Sequence, residues 1–153
     1  MISELTQAKK DITSLLDRWA NSYIAKDLAG LRIVWDESYN DLVYQGEEFP
    51  GPFTSWKQIK HYYRELLAKL VEKVNRWDRT GLWIDVFHDV AYAFTTTDFS
   101  LIVKGIPEPY SGTARQTFIF RKVDDGWKVI HYHESLQSMA TPEGLLLDEP
   151  DHN

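Results

Sequence analysis

The sequence predicts an α+β domain, with helices packed on one face of an antiparallel sheet. Two observations predict it. Up to Lys73 the apolar residues recur every three or four positions, and from Val74 they recur every second position. The second half also holds four long alternating segments separated mostly by short turns, and strands joined in that way are antiparallel neighbours.

The elements follow in order. Leu5, Ala8, Ile12, Leu15, Leu16, Trp19 and Tyr23 form the stripe of an amphipathic helix from about Ser3 to Lys26. Asp27 is placed to cap a short second helix that turns Leu28, Leu31 and Trp35 inward. Residues 41–45 read as a short strand. Gly46 to Thr54 holds two prolines and forms a loop, a possible gate at a cavity mouth. Thr54 or Ser55 caps a third helix to about Lys73, with Trp56, Ile59, Tyr63, Leu66, Leu67 and Leu70 buried. The strands run from Val74 to Val86, Val90 to Val103, Thr113 to Val123 and Trp127 to Gln137. Residues 1–140 make one domain, and 141–153 an acidic tail whose Leu145, Leu146 and Leu147 could lie on the body or reach a second subunit.

Composition narrows the function. The net charge is -6 with no basic stripe, which argues against nucleic acid. With 0 cysteines there is neither a disulfide framework nor thiol chemistry. No apolar run nears the roughly 20 residues that span a bilayer, and the first residues lack a signal-peptide core, so a cytoplasmic protein is expected. The aromatic share of 14% fits a core of large rings or a ring-lined cavity.

The final strand carries the unusual chemistry. On an uninterrupted strand Trp127, Val129, His131, His133 and Ser135 share one face, and Lys128, Ile130, Tyr132 and Glu134 the other. His131 and His133 then stand about 7 Å apart, and either could act as general acid or base, or simply hydrogen-bond in a polar core or interface. Asp98, after three threonines, is a candidate base or orienter, or an edge charge. Trp19, Tyr23, Tyr44, Tyr63 and Trp83 are candidate cavity or core rings. No third ligand stands at a metal-site spacing beside the two histidines, and no phosphate loop or nucleophile elbow is present, so neither metal nor cofactor is expected.

The element order, the Lys26-Asp27-Leu28 opening of the second helix, Gly105-Ile-Pro107, Asp125-Gly126-Trp127 and the His131-Tyr-His133-Glu-Ser135 strand together resemble the nuclear transport factor 2-like superfamily. The likeness is to its SnoaL-like group, and within it to the association domain of calcium/calmodulin-dependent protein kinase II. The resemblance implies a cone of three helices and a curved sheet around a cavity, the cystatin-like fold. It implies that the His131/His133 face points into the cone, and that Gln116, Phe118 and Phe120 point inward with Arg115 outward. A register shifted by one would reverse this, and Arg115 would enter. The steroid isomerases of the fold carry a catalytic Asp, a second Asp and a Tyr where this chain has Tyr44 or Gln45, Phe118 and Trp19, so their mechanism does not carry over. The association domain's pocket arginines fall at Phe118 and Glu134, so its anion pocket does not carry over either.

Two functions follow from this reading. One is a small-molecule binding protein or enzyme, with Trp19, Tyr23, Tyr44, Tyr63, Trp83, Gln116, Phe118 and Ser135 around a small hydrophobic ligand and His131, His133 and Asp98 available for chemistry. The other is a non-catalytic association module, a homodimer through the sheet face that bears Arg115, Ile119, Ile130 and Tyr132.

Overall fold

The computed structural model describes residues 2–124 and 126–137. The expected tail over 141–153 and the domain boundary at 140 lie outside the described residues. Helix α1 spans Glu4–Ala25, capped by the Ser3 hydroxyl, which accepts from the Thr6 amide at 3.2 Å. It stops at Lys26, whose left-handed backbone (φ 55°) turns its N–H back to the carbonyls of Ser22 and Tyr23. Asp27 caps α2, Leu28–Val34, by accepting from the Gly30 amide at 3.1 Å. Gly30 lets the two helices meet closely there, since a Cβ would stand 2.2 Å from the Ser22 hydroxyl oxygen.

The third helical segment departs from its simple periodicity. It runs as α3, Trp56–His61, then as a π-helical stretch, Tyr62–Leu67, then as α4, Ala68–Leu70. Wide turns of this kind are rare and cluster at functional sites. Here the wider winding brings Tyr62, Leu66 and Leu67 to one side. The chain leaves the helix at Val71, three residues before the alternating pattern becomes legible, because strand β2, Val71–Phe87, carries irregularities at its start.

The sheet order is β1-β5-β4-β3-β2. Strands β3 (Val90–Val103), β4 (Tyr110–Val123) and β5 (Gly126–Leu136) join β2 in an antiparallel series, as the short turns require. The short β1, Val43–Gln45, adds a parallel edge on β5. The inner face presents Ala91, Ala93, Thr95, Thr97, Phe99 and Leu101 from β3 and Ala114, Gln116, Phe118 and Phe120 from β4, all buried against the helices. Gln116, at 2% exposure, is thus inside, and Arg115 lies outside with its guanidinium donating to the Leu136 carbonyl at 2.8 Å.

Strand β5 corrects the expected alternation. Ile119 pairs with His131 but Phe120 pairs with Val129, so Ile130 is an extra residue, a β-bulge. Before it Trp127 and Val129 face inward, and after it Tyr132 and Glu134 do. His131, His133 and Ser135 therefore lie on the outer face, and the expectation that they line the cone fails. The physical reason is burial. Continued alternation would bury two imidazoles, whereas the bulge buries Tyr132, whose ring stacks on Tyr44 at 4.8 Å and meets Phe118 at 5.0 Å.

Candidate functional site

Between the inner face and the helices lies a partly open cavity of about 560 Å³. Its walls are rings and aliphatic side chains. Tyr23 comes from α1, Tyr44 from β1, Tyr62, Leu66 and Leu67 from the π-helical turn, and Trp77, Phe99 and Leu101 from β2 and β3. Phe49 from the β1–α3 loop, and Ile106 and Tyr110 at the β3–β4 connection, also line it. The loop is held in place by Gln45, whose amide donates to the carbonyls of Gly46 at 2.8 Å and Phe49 at 2.7 Å.

Three carboxylates enter this apolar space: Glu47 and Glu48 from the loop and Glu134 from β5. Tyr110 hydrogen-bonds Glu47, and the Tyr62 hydroxyl donates to Glu48 at 3.3 Å. Glu134 is strongly perturbed. Burial raises its pKa to about 7, the Tyr132 hydrogen bond opposes the rise, and repulsion from Glu48 and Glu47 adds to it. Burial likewise raises the Glu48 carboxyl, and Glu47 pushes it the same way.

Glu134 stands at the end of a directed chain of hydrogen bonds. The hydroxyls of Thr95 and Thr97 each donate to the Gln116 Oε1 at 2.9 Å. The Gln116 amide nitrogen is left to donate to the Tyr132 oxygen at 2.9 Å, and the Tyr132 hydroxyl donates to Glu134. Every bond points toward the carboxylate, so the chain favours its ionised form and fixes its position. This chain starts beside a second cavity of about 310 Å³, lined by Trp19, Gln116, Phe118, Thr95 and Thr97 and crossed by the Arg79–Asp17 ion pair at 2.9 Å.

The candidate residues thus divide. Tyr23 and Tyr44 line the main cavity, while Trp19, Gln116 and Phe118 line the second. Tyr63 is core, its oxygen accepting from the indole nitrogens of Trp19 at 3.3 Å and Trp35 at 3.1 Å. Trp83 is 56% exposed on the outer face, the wrong side for a cavity ring, because its β2 position pairs with outward Phe94. Asp98 is also outside, accepting from the Thr113 hydroxyl at 2.7 Å and ion-paired with Arg76 at 3.3 Å, so it orients no histidine in the cone. Burial, then the neighbouring His133, depress the His131 pKa. Glu134, Glu47 and Glu48 were outside the candidate set. The signal for Glu134 was its i, i+2 spacing from Tyr132, the one ring on β5 after Trp127. Among the described residues no three His, Cys, Asp or Glu side chains, the cavity's three glutamates included, stand so placed as to hold one metal ion.

The fold and its cavity define a class, the nuclear transport factor 2-like α+β cone. Within that class, the sequence profile of the SnoaL-like domain matches residues 12–140, and the chain belongs to that family. No curated protein matches it. Solved structures do. A nuclear transport factor 2-like superfamily protein from Salmonella enterica is 20% identical with TM-score 0.78, the alignment covering 91% of this chain and 98% of that one. A Xanthomonas campestris protein, provisionally described as a calcium/calmodulin-dependent protein kinase II association domain, is 21% identical with TM-score 0.68, over 84% and 87%. The hexachlorocyclohexane dehydrochlorinase LinA-type3 of Novosphingobium barchaimii is 12% identical with TM-score 0.74, over 94% and 96%. At these identities the likeness is one of fold. No described helix is long and apolar enough to cross a membrane.

Proposed function

We propose that this chain is an enzyme acting on a small hydrophobic organic molecule held in the ring-lined cavity, with Glu134 as the group that takes up and returns a proton. One observation carries the reading: a carboxyl group inside an apolar cavity, fixed by Tyr132 and with its pKa raised to about 7. A general base works best when its pKa lies near the working pH, and burial is the usual means of lifting a carboxylate there. The similar dehydrochlorinase is named for an elimination, and a reaction of that kind needs a group that removes a proton.

The test has two stages. Small organic compounds are offered to the protein as a library, and those retained are identified by native mass spectrometry. The Leu101→Trp variant, which fills the cavity, should retain none of them. Any compound that turns over is then offered to Glu134→Gln, which should lose about 100-fold or more in kcat. Binding unchanged in Leu101→Trp, or turnover unchanged in Glu134→Gln, refutes the proposal.

The outer face supports a second role within the same protein. Trp83 and Phe87 at 56%, Val90 at 44% and Tyr92 at 40% exposure gather on the β2–β3 hairpin. The described helices pack on the other face, and exposed apolar side chains gathered in this way, here with Asp85 among them, mark association sites. The partner that fits is a second copy of the chain, paired through this sheet face, with His131 and His133 on the same side.

A further inference from the structure

The cavity has a sign as well as a shape. Among the described residues that line it, none is Lys, Arg or His, while Glu47, Glu48 and Glu134 all open into it. These carboxylates come from two separate elements and converge on an apolar volume large enough for a small organic molecule. The remaining titratable groups facing that volume are the phenols of Tyr23, Tyr44, Tyr62 and Tyr110, with Trp77, Phe49 and Phe99 completing the rings. Aromatic faces attract cations, and more strongly where water is excluded. An anionic ligand would meet like charge on both sides. A neutral one would leave the carboxylates without compensation, a cost that shows in how hard burial and mutual repulsion push Glu134 and Glu48 toward their neutral forms.

Resting on the cavity assignment above, we infer that the ligand is a hydrophobic organic cation, an amine protonated at neutral pH or a quaternary ammonium on an apolar body. The rings of Tyr23, Tyr62 and Trp77 enclose its apolar part and face its charge, and Glu48 and Glu134 supply the counter-charge. Because the cation favours the ionised carboxylates, its binding releases protons and tightens as pH rises through neutrality.

The experiment compares benzyltrimethylammonium with neopentylbenzene, which differ by one nitrogen in place of one carbon, using tryptophan fluorescence at pH 6 and pH 8. The expected result is an ammonium that binds about tenfold or more tighter than its isostere at pH 8, with the preference shrinking at pH 6. Glu48→Gln, shown by circular dichroism to be folded, should lower the affinity for the ammonium and leave that for the isostere unchanged. Should this variant fail to fold, Glu134→Gln takes its place, read by the same two affinities. Equal or tighter binding of neopentylbenzene at pH 8 overturns the charge assignment and leaves the cavity reading standing. If library compounds bind in the cavity but neither probe does, the charge assignment again falls alone. If no compound of either kind binds the folded protein, both fall together.

Discussion

Replacing Glu134 by Gln isolates the group on which the catalytic reading depends. The glutamine keeps the shape and an acceptor for the Tyr132 hydroxyl, and it removes the titration. In the wild-type chain the carboxyl moves from an ordinary value of 4.5 to about 7 on folding. A folded-state pKa above the unfolded one gives stability that is fully present below the unfolded value and lost as pH rises through the folded value. Wild-type stability relative to Glu134→Gln should therefore fall between about pH 4.5 and pH 7 and level off above that. At 1.36 kcal/mol for each pKa unit the whole loss is about 3 kcal/mol. For a chain of this size that corresponds to roughly 6–12 °C in melting temperature. The assay is urea unfolding of both proteins in steps from pH 4 to pH 9, followed by circular dichroism. Parallel curves across the range would refute the claim that this carboxyl is held near neutrality, and the assignment of Glu134 as proton carrier would go with it.

Gln116→Leu removes the middle of the hydrogen-bond chain and leaves the Thr95, Thr97 and Tyr132 hydroxyls without their buried partner, so urea unfolding should show a loss of about 1–3 kcal/mol. An unchanged midpoint would mean that water replaces the amide and that the chain does not hold Tyr132 in place. Trp83→Glu puts a carboxylate into the outer apolar patch and should convert a dimer to a monomer at micromolar concentration, as read by size exclusion with light scattering. A wild-type monomer, or a variant that stays dimeric, would sink the paired-sheet proposal.

Most of the fold was legible because it is written in periodicity and caps. Asp27 and Ser55 cap the helices their positions announce, and the strand over Val90 to Val103 alternates without interruption. The π-helical turn at Tyr62–Leu67 was not legible, since the same apolar residues satisfy an ordinary helix equally well. The site departs from simple alternation at one point, with wide consequences. Period-two reasoning is only as good as its count, and one unpaired residue at Ile130 reverses every assignment that follows. Gln116 came out inside because β4 pairs with β3 without a slip, whereas His131 and His133 came out outside because β5 slips against β4. Glu134 is not legible in the sequence because an acidic residue in an apolar cavity is costly, and only the three-dimensional neighbourhood of Tyr132 and the Glu47–Glu48 loop reveals it.

The bulge gives β5 two alternative chemistries in one stretch of sequence. With Ile130 in place the strand offers the cone a phenol and a carboxyl; with a backbone one residue shorter there, the same downstream letters would offer it two imidazoles and a hydroxyl. Insertion or deletion at this point, more than substitution, is thus the change that would re-equip the cavity. It also means that comparing this strand with a relative letter by letter, across a bulge that only one of them has, sets a solvent-facing side chain against a cavity-facing one.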